Sequence, residues 1–265
     1  MQKRYRYAMI LLKQLVITDF KLRYQGSVLG YAWSLLRPLL LFVILYLVFV
    51  KGLKIGGSIP NFPIYLLLGI VMWNFFSEMT SQSLSSIVSR GDLIRKIRIP
   101  RWIIVLSSSI SALINLGLNL LVVLVFMLIT HVDFMKTGIF FPIILLEIYI
   151  FALGVSLFLA AAFVKYRDVE YIWEVITQAF FYLTPIIYPL SVITDQTLQK
   201  ILLLNPMAQA MQDARSILVT KETITMAEVY GTANARLISL AIVVTFFLVG
   251  LVYFKRKAKY FAENI

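Results

Sequence analysis

Cysteine is absent from the 265 residues, which excludes a disulfide framework, a thiolate metal site and a cysteine nucleophile. Histidine occurs once, as His131, near the end of an apolar run and beside Asp133. A lone imidazole there reads as a polar residue at a membrane boundary, because a histidine-based catalytic site needs partners in a cleft. Charge is scarce as well. Asp, Glu, Lys and Arg make up 14% of the chain, where a soluble domain carries about a quarter. No HExxH, GxSxG or phosphate-cradling GxxxxGKS/T segment is present, so no catalytic residue is assigned, no metal is expected, and any nucleotide site must come from another chain. The N-terminus is basic at Lys3, Arg4 and Arg6, but no short apolar core with a small-residue cleavage site follows. No removable signal peptide is therefore expected.

What abounds is apolar surface: 60% hydrophobic residues and a mean hydropathy of +0.87. Apolar runs of roughly 18 or more residues recur, each long enough to cross about 30 Å of hydrocarbon. The pattern predicts an all-α integral membrane protein, one transmembrane domain over 1–265 with six transmembrane helices. Residues 1–30 mix charge with Leu12, Leu15, Val16 and Phe20 at helical spacing, which predicts an amphipathic helix in the cytoplasmic interface. Asp19 and Arg23, four apart, can pair along it, and Gly26 and Gly30 allow a turn after it. Spans one to five occupy 31–188, at about 31–50, 62–76 (with a polar continuation), 102–129, 139–164 and 171–188. Residues 189–235 are too polar to span. Their apolar pieces, 198–204 and 207–219, broken at Asn205 and Pro206, predict two short re-entrant helices in an outer gate region. Span six covers 236–254, and 255–265 is a basic cytoplasmic tail. Segments placed inside hold 17 of the 25 Lys and Arg, and those placed outside hold seven, among them Arg215 and Arg236. The positive-inside rule then puts both termini in the cytoplasm.

Glu78 and Glu147 lie at membrane depth, where ionisable groups face a protein interior or water. No Lys, Arg or His stands beside them in the sequence, so each reads as a protonated or hydrogen-bonded structural acid, with a proton relay as the alternative. Ser108, Ser111, Asn115 and Asn119 share one helical stripe, which either binds helices together or lines a path. Trp33, Trp73, Trp102 and Trp173 fall near span ends and suit belt anchoring. Phe180, Phe181, Tyr182 and Tyr188 cluster before the proline-broken segment, where rings can stack on sugars or fill the outer leaflet. In RGDLIRKIRIPR, residues 90–101, the positive-inside rule accounts for the charge but not for the interleaved Leu93, Ile94, Ile97 and Ile99. A short amphipathic helix with a proline stop could dock into a groove on a cytoplasmic partner.

In order and spacing these segments resemble the permease subunits of ABC transporters that export lipid-linked polysaccharides, such as O-antigen, capsule and teichoic-acid exporters. FKLRYQGSVLGYAWSLLRPLL (20–40) looks like the family's interface helix running into the first span, and DLIRKIRIPR (92–101) resembles its cytoplasmic coupling helix. KYRDVEYIWEV (165–175) looks like the inner turn before the fifth span, and TPIIYPL (184–190) with Asn205 and Pro206 resembles the outer gate. The resemblance covers nearly the whole chain. It implies a homodimer in the bacterial cytoplasmic (inner) membrane, bound to two copies of a separate ABC ATPase that supplies the ATP and Mg chemistry. No cofactor is expected in this chain and no nucleic-acid partner. Asp92, Leu93, Ile94, Arg95, Lys96, Ile97, Arg98, Ile99, Pro100 and Arg101 would couple to the ATPase. Lys21, Arg23 and Arg37, cationic and near headgroup level, would meet the lipid pyrophosphate. Channel and gate, lined by the first and fifth helices, would draw on Tyr31, Trp33, Phe180, Phe181, Tyr182, Pro185, Tyr188, Asn205 and Pro206. Two rivals stand beside this reading. A small-molecule or drug export permease would need a closed apolar pocket. An intramembrane transferase would need a base, for which Glu78 is the sole candidate. A stand-alone channel would need a filter-like segment or a ring of charge, and neither is evident.

Overall fold

The computed structural model describes residues 2–24, 27, 29–54, 59–96, 100–132 and 135–264, and among them regular structure is entirely helical. Helix α1 (Gln2–Tyr24) sets Leu12 and Leu15 against Ile103 at the start of α5 (Trp102–Ile129). Gly30, at φ +49°, turns the chain into α2 (Trp33–Leu45), a left-handed conformation that costs glycine no Cβ clash. Gly26 lies outside the described residues. A π-helical stretch, Tyr46–Gly52, extends α2.

At the centre stands α3 (Phe62–Ser86), apolar around its whole circumference over 62–72 and buried there. A helix hydrophobic on all sides has no face to offer water, and in this bundle it is the one most enclosed by neighbours. It continues without a break into the polar stretch ending at Ser86, as the sequence predicts. Next come α4 (Gly91–Lys96), α6 (Phe141–Lys165) and α7 (Val169–Leu183), then α8 (Gln196–Leu203), α9 (Pro206–Leu218) and α10 (Met226–Tyr230). The chain closes with α11 (Arg236–Lys257) and α12 (Phe261–Asn264). Asp195 caps α8 by accepting from the Thr197 N–H, and Asn205 caps α9 by accepting from Met207, with Pro206 in the first turn. These local signals explain why two short helices form on either side of Asn205.

Among the described residues, five segments are long and apolar enough to cross a membrane: Trp33–Gly52, Phe62–Ser86, Trp102–Ile129, Lys136–Lys165 and Arg236–Tyr260. Helix α7, within the expected fifth span, has 15 residues. At about 1.5 Å per residue it covers roughly 22 Å, short of the hydrocarbon core. Backbone from Thr184 onward leaves the helix.

Helices α6 and α11 approach most closely at Gly154 and Gly250. A Cβ on Gly154 would sit 2.5 Å from the Phe247 Cα, and one on Gly250 would run into the Gly154 carbonyl oxygen. Small residues permit this backbone-to-backbone contact. At one end of the bundle Ile87, Ile104, Val164, Phe254 and Phe261 form a single cluster, onto which Ile94 of α4 packs. Arg90 joins that end to α1 by an ion pair with Asp19 and donates to Ser107 Oγ at 2.9 Å. Asp19 thus has a tertiary partner, while the side chain of Arg23, its expected partner along α1, lies outside the described residues. The basic segments 90–96, 165–167 and 255–259 collect at this end.

Two charges counted as outer-loop residues are not loop charges. Arg236 opens α11 and pairs with Glu147 at 3.3 Å and Asp213 at 3.4 Å. Glu147 therefore has a cationic partner, contrary to the sequence reading, contributed from 89 positions away. Arg215 is fully buried.

Candidate functional site

A polar recess of about 340 Å³ opens between α2, α3 and α5. Helix α2 contributes Trp33, Ser34 and Arg37. Helix α3 contributes Asn74, Ser77, Glu78, Ser81 and Gln82 from its polar continuation. Helix α5 contributes Asn115 and Asn119. The Glu78 carboxylate accepts from Asn115 Nδ2 at 2.5 Å and from Gln82 Nε2 at 2.9 Å. Asn119 donates to the Ser34 carbonyl at 3.3 Å and so ties α5 to α2. Asn115 is buried and its Oδ1 meets no donor among the described residues. A buried amide oxygen so placed is costly unless water or a ligand satisfies it. The polar stripe of α5 thus divides: Ser108 and Ser111 bond back to Ile104 and Ser107 carbonyls of their own helix, while Asn115 and Asn119 serve the recess.

Helix α7 supplies the second element. Trp173 Nε1 donates to Thr80 Oγ1 at 3.2 Å and Phe181 meets Trp73 edge-on at 6.1 Å, fixing one face of α7 on α3. No residue of α7 is buried. Glu170, Glu174 and Gln178, spaced by four, form an exposed polar stripe along it. The sequence reading passed over this stripe in favour of the aromatics; the i, i+4, i+8 spacing was the available signal.

The expected gate residues separate into two groups. Trp33, Phe180 and Tyr182 are exposed. Pro185, Tyr188, Asn205 and Pro206 instead brace the segment after α7. Asn205 Nδ2 donates to Thr184 Oγ1 at 3.1 Å, and the Tyr188 hydroxyl donates to the Tyr182 and Leu183 carbonyls. Arg215, which sequence reasoning missed, organises this segment. It donates to the carbonyls of Tyr65 (3.0 Å), Pro185 (2.6 Å) and Ile186 (2.8 Å) and stacks 3.7 Å from the Tyr65 ring centroid. No local pattern marks an arginine as buried.

Helix α4 is amphipathic as expected. Leu93 and Ile94 pack on the bundle, while Asp92, Arg95 and Lys96 are exposed, as is Pro100. Arg101 turns inward and donates to the Ala258 carbonyl. Lys21 and Arg37 are exposed. The side chains of Arg23 and Tyr31, and Ile97, Arg98 and Ile99 entirely, lie outside the described residues.

The described helices include five of membrane length, with a polar recess between α2, α3 and α5 and a short basic helix at one end. Residues 10–219 match the ABC-2 type transporter family, and the chain belongs to that family. It is 33% identical over 214 residues to the O-antigen export system permease protein RfbA of Myxococcus xanthus, covering 80% of this chain and 81% of that protein. Two O-antigen export permeases named RfbA from Klebsiella pneumoniae are 29% and 28% identical, each over 97% of this chain and 95% of their own length.

Proposed function

We propose that this chain is the permease of an ABC exporter that moves a lipid-linked polysaccharide of the O-antigen type, or a teichoic acid, outward across the bacterial cytoplasmic membrane. It works as a homodimer served by two copies of a separate ATPase. The observation that carries this reading is the joint one: family membership over 10–219, relatives named as O-antigen export permeases, and two polar surfaces, the Glu78 recess and the exposed stripe on α7. Hydroxyl-rich cargo needs such a lining, and α2 and α7 leave most of their surface free for a second copy to face. In this reading α7 and the extended segment after it make a sixth crossing, and α8 and α9 dip into the outer leaflet. The basic end of the bundle, with both chain ends, sits in the cytoplasm.

Export is tested by depletion. Loss of the chain is expected to strand lipid-linked glycan on the cytoplasmic side, and the tagged chain is expected to copurify with an ATP-binding subunit. Recovery of the chain alone, with unaltered glycan, would overturn the reading.

ATP can drive the permease only if the ATPase binds one of its conformations better than another. The α4 surface is the proposed contact. Arg95→Glu with Lys96→Glu is expected to lower recovery of the ATPase at least about fivefold, as lost charge complementarity does at an interface rim, with the yield of monodisperse permease unchanged. Normal copurification and normal export in that variant would remove α4 from the coupling path.

The transferase alternative rests on Glu78. Export by Glu78→Gln is expected within about twofold of wild type, because an amide oxygen accepts the same two hydrogen bonds. A collapse of export with normal protein yield would revive acid–base chemistry there. The drug-export alternative calls for a closed apolar pocket. The large apolar hollow in this bundle is open at the surface, where Val249 is 54% exposed.

A further inference from the structure

That hollow, of about 630 Å³, runs between α6, α7 and α11 with α3 as its floor. It extends along α6 from Phe151 to Tyr166, roughly 22 Å at about 1.5 Å per residue, the scale of one leaflet and more. Its walls are aromatic and aliphatic, including Phe76, Phe158, Trp173 and Phe246. Phe180, assigned from sequence to the channel, also lines it. Phe158, Ile172 and Val249 leave its long side open to the bundle surface.

The two ends differ in chemistry. At the basic end the groove finishes at Tyr166 and Tyr253. Lys165 lies 5.1 Å from the Tyr166 ring centroid and Lys257 lies 5.9 Å from that of Tyr253. Arg167 follows directly in the same turn, held 5.1 Å from the Phe163 ring. An apolar trough with cations only at its headgroup end is complementary to an anionic head on a long hydrocarbon tail. The mouth also adjoins the first turn of α7, where Glu170 begins the polar stripe. A head seated there would hand a glycan attached to it to that stripe.

Resting on the export reading above, we propose that this groove seats the polyprenyl chain of the cargo's phosphate-linked carrier lipid. The phosphate lies at the mouth formed by Tyr166 and Tyr253, between Lys165 and Lys257. The groove thereby holds the carrier on the bundle flank while the glycan passes on the other face of α7.

The test places benzoylphenylalanine at Val249, on the groove wall, or at Val244, equally exposed on α11 but outside the groove. The intact permease–ATPase complex is reconstituted in phosphatidylcholine nanodiscs containing radiolabelled undecaprenyl phosphate and irradiated. Labelling at Val249 is expected to exceed that at Val244 and to be displaced by unlabelled undecaprenyl phosphate but not by equal phosphatidylglycerol. Lys165→Glu with Lys257→Glu is expected to reduce it about tenfold, since two cations facing an anionic head become anions; Lys165 is exposed and Lys257 half-buried, and ATPase copurification reports folding. Equal labelling at the two sites, or equal displacement by phosphatidylglycerol, would overturn the proposal and leave an annular-lipid groove. If depletion still strands glycan in the cytoplasm, either result removes the groove alone and leaves the export reading standing.

Discussion

Arg215→Met is expected to yield little folded permease. The guanidinium is fully buried and serves the Pro185 and Ile186 carbonyls, which lie in irregular backbone where no helical ladder supplies a donor. Removing it orphans both, at about 1–3 kcal/mol for each buried group left unpaired, against a total stability of about 5–15 kcal/mol. It also frees the segment after α7 from α3, because the same side chain holds the Tyr65 carbonyl and stacks on its ring. Arg215→Lys keeps the charge but offers a point donor instead of a planar fork, so it is expected to fall between wild type and Arg215→Met. Size-exclusion profiles and melting midpoints in mild detergent check the order. The melting midpoint of Arg215→Met is expected clearly below that of wild type, with a reduced monodisperse peak as its unfolded fraction aggregates. A wild-type profile would mean that the segment after α7 is held by something else.

Gly250→Val is expected to be nearly as damaging, for a different reason. A side chain there would overlap the Gly154 carbonyl oxygen, and on the reciprocal side a Cβ at Gly154 would press on Phe247 backbone. Both obstacles are main chain, so no rotamer change relieves them, and α6 and α11 must separate along their contact. Gly117 is the matched control. It sits within α5 with nothing within 4 Å of the place a Cβ would take. Gly117→Ala is expected to be neutral or stabilising by up to about 1 kcal/mol, the helix propensity difference. Thermal unfolding of the two variants side by side checks this. Comparable melting for Gly250→Val and wild type would rule out the close helix crossing.

Local signals carried far in this chain. Apolar runs longer than 18 residues located the spans, because crossing hydrocarbon is a demand each segment meets alone. Asn205 followed by Pro206 marked the start of α9, since a side-chain cap and a fixed proline φ act within a few residues. The interleaved Leu93 and Ile94 correctly announced an amphipathic α4. The recess was half legible: Glu78, Asn115 and Asn119 were flagged as polar residues of the spans, but not as neighbours.

The pairings were another matter, and distance along the chain is the reason. Asp19 meets Arg90 across 71 positions, Glu147 meets Arg236 across 89, and Tyr65 meets Arg215 across 150. In sequence Arg215 and Arg236 look like ordinary outer-loop cations. Composition and periodicity together settled that this is a helical membrane protein, where its five membrane-length segments begin and which segments are basic, but not that 171–188 forms a further one. Which helix faces which was left to the packing. The small residues that let α6 and α11 touch, the carbonyls that accept a buried guanidinium and the apolar groove beside α7 exist only once distant segments are brought together. Their energies depend on burial, and burial belongs to the bundle, not to any one helix.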